Sequence, residues 1–106
     1  MPHRPINPKL RNVIGPNIQK ARIAKGWTQE ELARACQLAG WDIDREGIVR
    51  IEARRRTLLD YEILKLMELL SVSFDVLKPG RVPWQGVFAG YASDKDGPPQ
   101  DEAVSS

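Results

Sequence analysis

Thr28-Gln29-Glu30-Glu31-Leu32-Ala33 and, after an interval, Gly47-Ile48-Val49-Arg50-Ile51-Glu52 decide the reading of this chain. In the first stretch a Thr precedes a Glu by three positions, so each side chain can satisfy the other's free backbone N–H at a helix start. The second is apolar at Ile48 and Ile51 and basic at Arg50, with Arg45 two positions before the stretch, so one face can pack while the other meets an anionic partner. The pattern predicts two short helices meeting at an angle. It implies a helix-turn-helix that reads DNA.

Composition sets the bounds. A chain of 106 residues, 28% charged and 42% hydrophobic, has the size and balance of one globular domain with a modest core. No apolar run approaches the roughly 20 residues needed to cross a bilayer, and Met1-Pro2-His3-Arg4-Pro5 lacks the apolar stretch of a signal peptide, so the expectation is a cytoplasmic protein with no membrane partner. One Cys and one His exclude an internal disulfide and a His/Cys metal site, and no cofactor or small-molecule ligand is indicated. No carboxylate pair, nucleophile with base or phosphate-cradling glycine loop stands out, so catalysis is not expected.

Charge is unevenly spread. Residues 1–56 hold 12 Lys and Arg against 6 Asp and Glu, a net +6, whereas residues 57–106 hold 4 against 8, a net −4. A basic field around the helical pair would draw in nucleic acid by releasing phosphate counterions, with affinity falling steeply in salt. Scattered Lys and Arg more commonly just solvate helix faces. The run Arg54-Arg55-Arg56 directly after the second stretch favours the nucleic-acid reading.

Residues 1–13 carry Pro2, Pro5 and Pro8 among basic residues and read as a mobile arm. A first helix is expected from Pro16 to about Lys25, with Ile18, Ala21 and Arg22 on one face and Gly26 as its stop. A second runs from Gln29 to about Ala39, turning Leu32, Ala33 and Cys36 inward, with Gly40 as its stop. Cys36 reads as a small buried hydrophobe. A third begins after Asp44 as N-cap and extends through Glu52; residues 54–57 either continue or leave it. A fourth, from about Asp60 to Leu70, places Ile63, Leu66, Met67 and Leu70 at helical spacing. Ser73 then caps a short fifth helix that puts Phe74 and Leu77 onto the core. The Asp-, Pro- and Ser-rich end cannot bury enough surface to order itself. The expected domains are an arm at 1–13, a helical unit at 14–78, and a tail at 79–106 that is partly disordered or serves dimerisation.

The segment 18–77 resembles the lambda-repressor-like helix-turn-helix family, the group of the phage Cro and Xre regulators. The resemblance rests on Ile18, Arg22, Gly26, the run from Thr28 to Ala33, Ile48, Arg50-Ile51-Glu52, and Leu70-Ser71-Val72-Ser73-Phe74-Asp75-Val76-Leu77, in that order and spacing. It implies an all-α, compact five-helix DNA-binding domain with flexible tails. One feature departs from it: 15 positions separate Ala33 from Ile48, about five more than the family's short turn requires. One additional turn on the second helix plus a longer loop would absorb the surplus. Ile43 would then anchor the turn, and Trp41 would serve as a packing lid in preference to a DNA contact.

On this basis the third helix enters the major groove, with Asp44, Arg45, Glu46, Val49 and Arg50 as candidates for base edges. Arg45 suits guanine O6 and N7, Glu46 a cytosine amino group, and Val49 a thymine methyl. Gly47 costs about 1 kcal/mol in a helix relative to Ala; either a side chain there would collide with DNA or with the second helix, or it is a tolerated weak spot. Thr28, as cap or contact, and Arg54, Arg55 and Arg56 are the candidates for phosphate. The resemblance further implies that Gln29 bonds phosphate and steadies the recognition helix, and that Arg22 and Glu52 form a buried ion pair. Where the family usually has Asn-Gly this chain has Ala53-Arg54, which removes the usual stop of the third helix.

The function expected is a sequence-specific double-stranded DNA-binding regulator, a repressor of prokaryotic or phage type. A homodimer is expected because one recognition helix covers too few base pairs for useful specificity. Leu59, Leu64 and Leu69, or residues 84–91, are candidate dimer surfaces. The alternative is a protein-interaction module, antitoxin-like or anti-repressor, using the same helices.

Overall fold

Local side-chain chemistry sets the starts of the second and third helices, whereas Ser73, expected to cap the fifth, precedes it without a side-chain cap hydrogen bond. A computed structural model describes residues 10–82, and within them the helices are α1 (Gly15–Ala24), α2 (Gln29–Leu38), α3 (Arg45–Glu52), α4 (Asp60–Leu70) and α5 (Phe74–Leu77), with no strand among the described residues. At the start of α2, Thr28 Oγ1 accepts the Glu31 N–H at 3.0 Å while Glu31 Oε1 accepts the Thr28 N–H at 2.8 Å. At the start of α3, Asp44 Oδ1 accepts the Gly47 N–H at 2.9 Å.

The ends share one closure. In α1 to α4 the chain turns through a left-handed residue whose N–H and that of its successor reach back to carbonyls of the last turn. Gly26 (φ 81°) and Gly40 (φ 94°) do this for α1 and α2, where the missing Cβ makes the conformation inexpensive. Arg54 (φ 64°) and Ser71 (φ 58°) do it for α3 and α4. The expected loss of a stop at Ala53-Arg54 is therefore corrected. Arg54 takes the glycine's place, the Arg55 N–H bonds the Arg50 carbonyl at 2.8 Å, and α3 stops at Glu52.

Ile18, Leu32, Cys36, Ile48, Ile51, Leu66 and Leu77 are fully buried and form the centre of the core, with Ile43 closing it beneath the turn. α3 packs on α1 and α2, α4 on α2 and α1, and α5 on α1. Asn17 Nδ2 donates to the Leu77 carbonyl at 3.0 Å and Asn12 Nδ2 to the Ile51 carbonyl at 2.9 Å, so side-chain amides on and just before α1 hold the ends of α5 and α3. Gly15 matters for a related reason: a Cβ there would overlap the Ile51 carbonyl, so α1 could not begin so close to α3.

Two further expectations change. Phe74 lies on the surface, because a single-turn helix can bury one direction only and Leu77 takes it. Leu69 is half-buried against the core, whereas Leu59 and Leu64 are exposed. Residues 1–9 of the arm and residues 84–91 lie outside the described residues. No helix among the described residues is long and apolar enough to cross a membrane.

Candidate nucleic-acid interface

α3 is two-sided. Ile48, Ile51 and Glu52 turn inward and are buried, whereas Asp44, Arg45, Glu46 and Arg50 are exposed and Val49 is half-buried. Arg45 and Glu46 stand 4.0 Å apart at the open end, each more than half exposed, so their attraction is weak and either can turn to another partner. Asp44 caps the helix, and its carboxylate is engaged with the Gly47 N–H.

The inner side is held by a charged pair. Arg22 Nε donates to Glu52 Oε2 at 2.7 Å and Nη2 to Oε1 at 3.1 Å, a two-pronged contact between α1 and α3 with both side chains nearly excluded from water. The remaining prong, Nη1, donates to the Trp27 carbonyl at 2.7 Å. Gln29 Nε2 donates to Glu52 Oε1 at 3.0 Å. Gln29 thus reaches inward to the ion pair and steadies α3 from the start of α2.

The connection between α2 and α3 occupies residues 39–44, after an α2 that continues to Leu38. Gln37 Nε2 donates to the Ile43 carbonyl at 2.8 Å, tying the loop to α2. Gly47 is buried, and a Cβ there would overlap the Ile43 side chain, so the glycine makes room for the residue that anchors the turn. Trp41 is half-buried and packs against the core as a lid.

The three arginines after α3 part company. Arg55 is exposed. Arg54 Nε donates to the Arg11 carbonyl at 3.2 Å. Arg56 spans the two oxygens of Glu62 at 3.3 and 3.2 Å, donates to the Thr57 carbonyl at 3.3 Å, and lies 5.8 Å from the centre of the Trp41 ring. Glu62 is itself buried and accepts the Leu59 N–H at 3.0 Å, which closes the start of α4. Reading of the sequence missed Glu62; its position three residues after a helix start was the available signal. Cys36 is fully buried, and desolvation pushes its thiol up to about 11, which leaves it without thiolate at neutral pH.

Exposed Arg45 and Arg50 stand beside exposed Asp44 and Glu46 on a helix braced from within, and the chain resembles known proteins in sequence and fold. A family model described as helix-turn-helix matches residues 18–77. A curated Neisseria hypothetical transcription factor from Neisseria meningitidis serogroup B is 37% identical over 71 residues, a match that takes in 66% of this chain and 62% of that protein. The chain therefore spans somewhat less than two thirds of that relative. The crystal structure of a hypothetical transcription factor, NHTF, from Neisseria superposes with a TM-score of 0.56 at 28% identity, covering 76% of this chain and 88% of that one. Because the family match extends over more than half of the chain and coincides with the five helices, this protein belongs to the helix-turn-helix family of the Cro/C1 type.

Proposed function

We propose that the chain is a sequence-specific regulator of transcription that binds double-stranded DNA, reads the major groove with α3, and acts as a repressor. The observation that carries this reading is the polarity of α3, whose buried side is locked to α1 by Arg22 and Glu52 while Arg45, Glu46 and Arg50 stand exposed on the other. In a major groove Arg45 suits guanine O6 and N7, Glu46 a cytosine amino group and Val49 a thymine methyl. Arg50 is a further candidate for base edges, and Arg55 and the hydroxyl of Thr28 suit the flanking phosphates. The two Neisseria proteins named as hypothetical transcription factors support the regulatory role.

A homodimer completes the proposal, since paired half-sites supply the discrimination a single helix lacks. Leu59 and Leu64, both more than half exposed, are the apolar residues offered for the contact. Selection of bound duplexes from a random pool, followed by affinity against salt, tests the reading. A defined preferred sequence and a falling affinity are expected. No enrichment together with a flat salt response would reject it in favour of a protein-docking module.

A further inference from the structure

The longer turn has a brace of its own, and it runs through an arginine that charge alone would assign to phosphate. Within residues 39–44 the N–H groups of Ala39, Gly40 and Trp41 reach back to α2 carbonyls, and the Ile43 N–H reaches the Trp41 carbonyl at 2.8 Å. Nothing in those bonds fixes the loop against α4. Trp41 does so through its ring, which faces the Arg56 guanidinium, and Arg56 is gripped by both oxygens of Glu62. Glu62 is only 8% exposed and already closes the start of α4, so it cannot follow Arg56 outward. Were Arg56 to swing toward a phosphate, it would leave a carboxylate buried without its partner and a Trp without its cation.

Trp41 and Arg56 also line a notch of about 330 Å³ together with Asp42, Asp44, Gly47 and Arg50 of the turn and α3. Arg50 stands on the exposed face of α3, so the wall formed by Trp41 and Arg56 borders the helix proposed to read bases. Loosening that wall would free the loop that carries Asp44, the cap of α3, and Ile43, the anchor beneath Gly47.

We propose that Arg56, clamped between Trp41 and Glu62, is a positioning residue that sets sequence discrimination by holding the extended turn and α3 in register, and that it does not neutralise a phosphate. The proposal rests on the DNA-binding reading above. Its test separates the two. Amide hydrogen exchange at Trp41, Ile43 and Gly47 is measured in the free full-length chain, and affinity for a selected and a scrambled duplex is measured against salt, for wild type, Arg56→Lys and Trp41→Ala.

Lysine keeps the charge and loses the two-pronged grip, so Arg56→Lys is expected to speed exchange at those amides by about tenfold. It is expected to lower the preference for the selected duplex by about tenfold while the slope of log affinity on log salt stays unchanged. Trp41→Ala is expected to do the same without altering charge. Arg56→Gln gives the opposing reading its chance: a slope reduced by about 0.9 would make Arg56 a phosphate contact and overturn the proposal. Unchanged exchange, or a preserved preference in Arg56→Lys, would overturn it too. Should Arg56→Lys fail to fold, Trp41→Phe, which keeps a ring face, is expected to speed the same amides by about threefold, and no change would count against the clamp. A wild-type chain without salt-dependent duplex binding would end the regulator reading, and the exchange measurement would still decide the clamp.

Discussion

Glu52 ties three parts of the molecule with one carboxylate. It accepts Arg22 Nε and Nη2 from α1 and Gln29 Nε2 from α2, while its own backbone ends α3. Removing it would leave the Arg22 guanidinium buried with only the Trp27 carbonyl to satisfy it. Glu52→Ala is therefore expected to destabilise the fold by roughly 3–5 kcal/mol, read as a large fall in melting temperature. An unchanged melting temperature would show that the pair carries no such burden. Arg22 and Glu52 are recognisable in the sequence only through the family resemblance, because a cation and an anion 30 positions apart carry no local signal of contact. Arg56 shows the reverse difficulty. In a run of three arginines the residues look equivalent, and only the approach of Glu62 and Trp41 separates the scaffold arginine from the exposed Arg55.

At the scale of the elements, the fit between the turn and α3 depends on one absent methyl group. Gly47→Ala would gain about 1 kcal/mol of helix propensity, yet its Cβ would overlap Ile43, and overpacking of this kind costs roughly 1–3 kcal/mol. A net loss of about 1 kcal/mol in denaturant unfolding is expected, with Ile43→Ala less harmful in the Gly47→Ala background than in wild type. Equal effects in both backgrounds would mean the two residues do not compete for space. Helix starts were the most legible feature of the sequence, since Thr28 with Glu31 and Asp44 before α3 act through chemistry confined to a few residues. Stops at Gly26 and Gly40 were legible for the same reason. The stop at Arg54 was not: a left-handed arginine costs about 1–2 kcal/mol, and the carbonyl of Arg11 that receives its side chain is 43 positions away. Phe74 was misassigned because a one-turn helix has no period from which to read its buried face.

Across the whole molecule, charge is unevenly divided along the chain while the core draws on all five helices. The half that holds α1 to α3 and the arginines after it carries a net +6, and the half that holds α4 and α5 carries a net −4. α4 and α5 complete the core through Leu66, Leu70 and Leu77, while α3 keeps its cations at the surface. The exposed arginines of α3 thus stand on a scaffold set by apolar packing and by the ion pairs Arg22–Glu52 and Arg56–Glu62. The most direct test is the sequence preference of a variant carrying Arg45→Ala and Arg50→Ala, measured on a random duplex pool after its fold has been verified by thermal unfolding. The account predicts that the variant keeps wild-type stability and loses its preference among duplexes; a folded variant that selects the same sequences as wild type would contradict it.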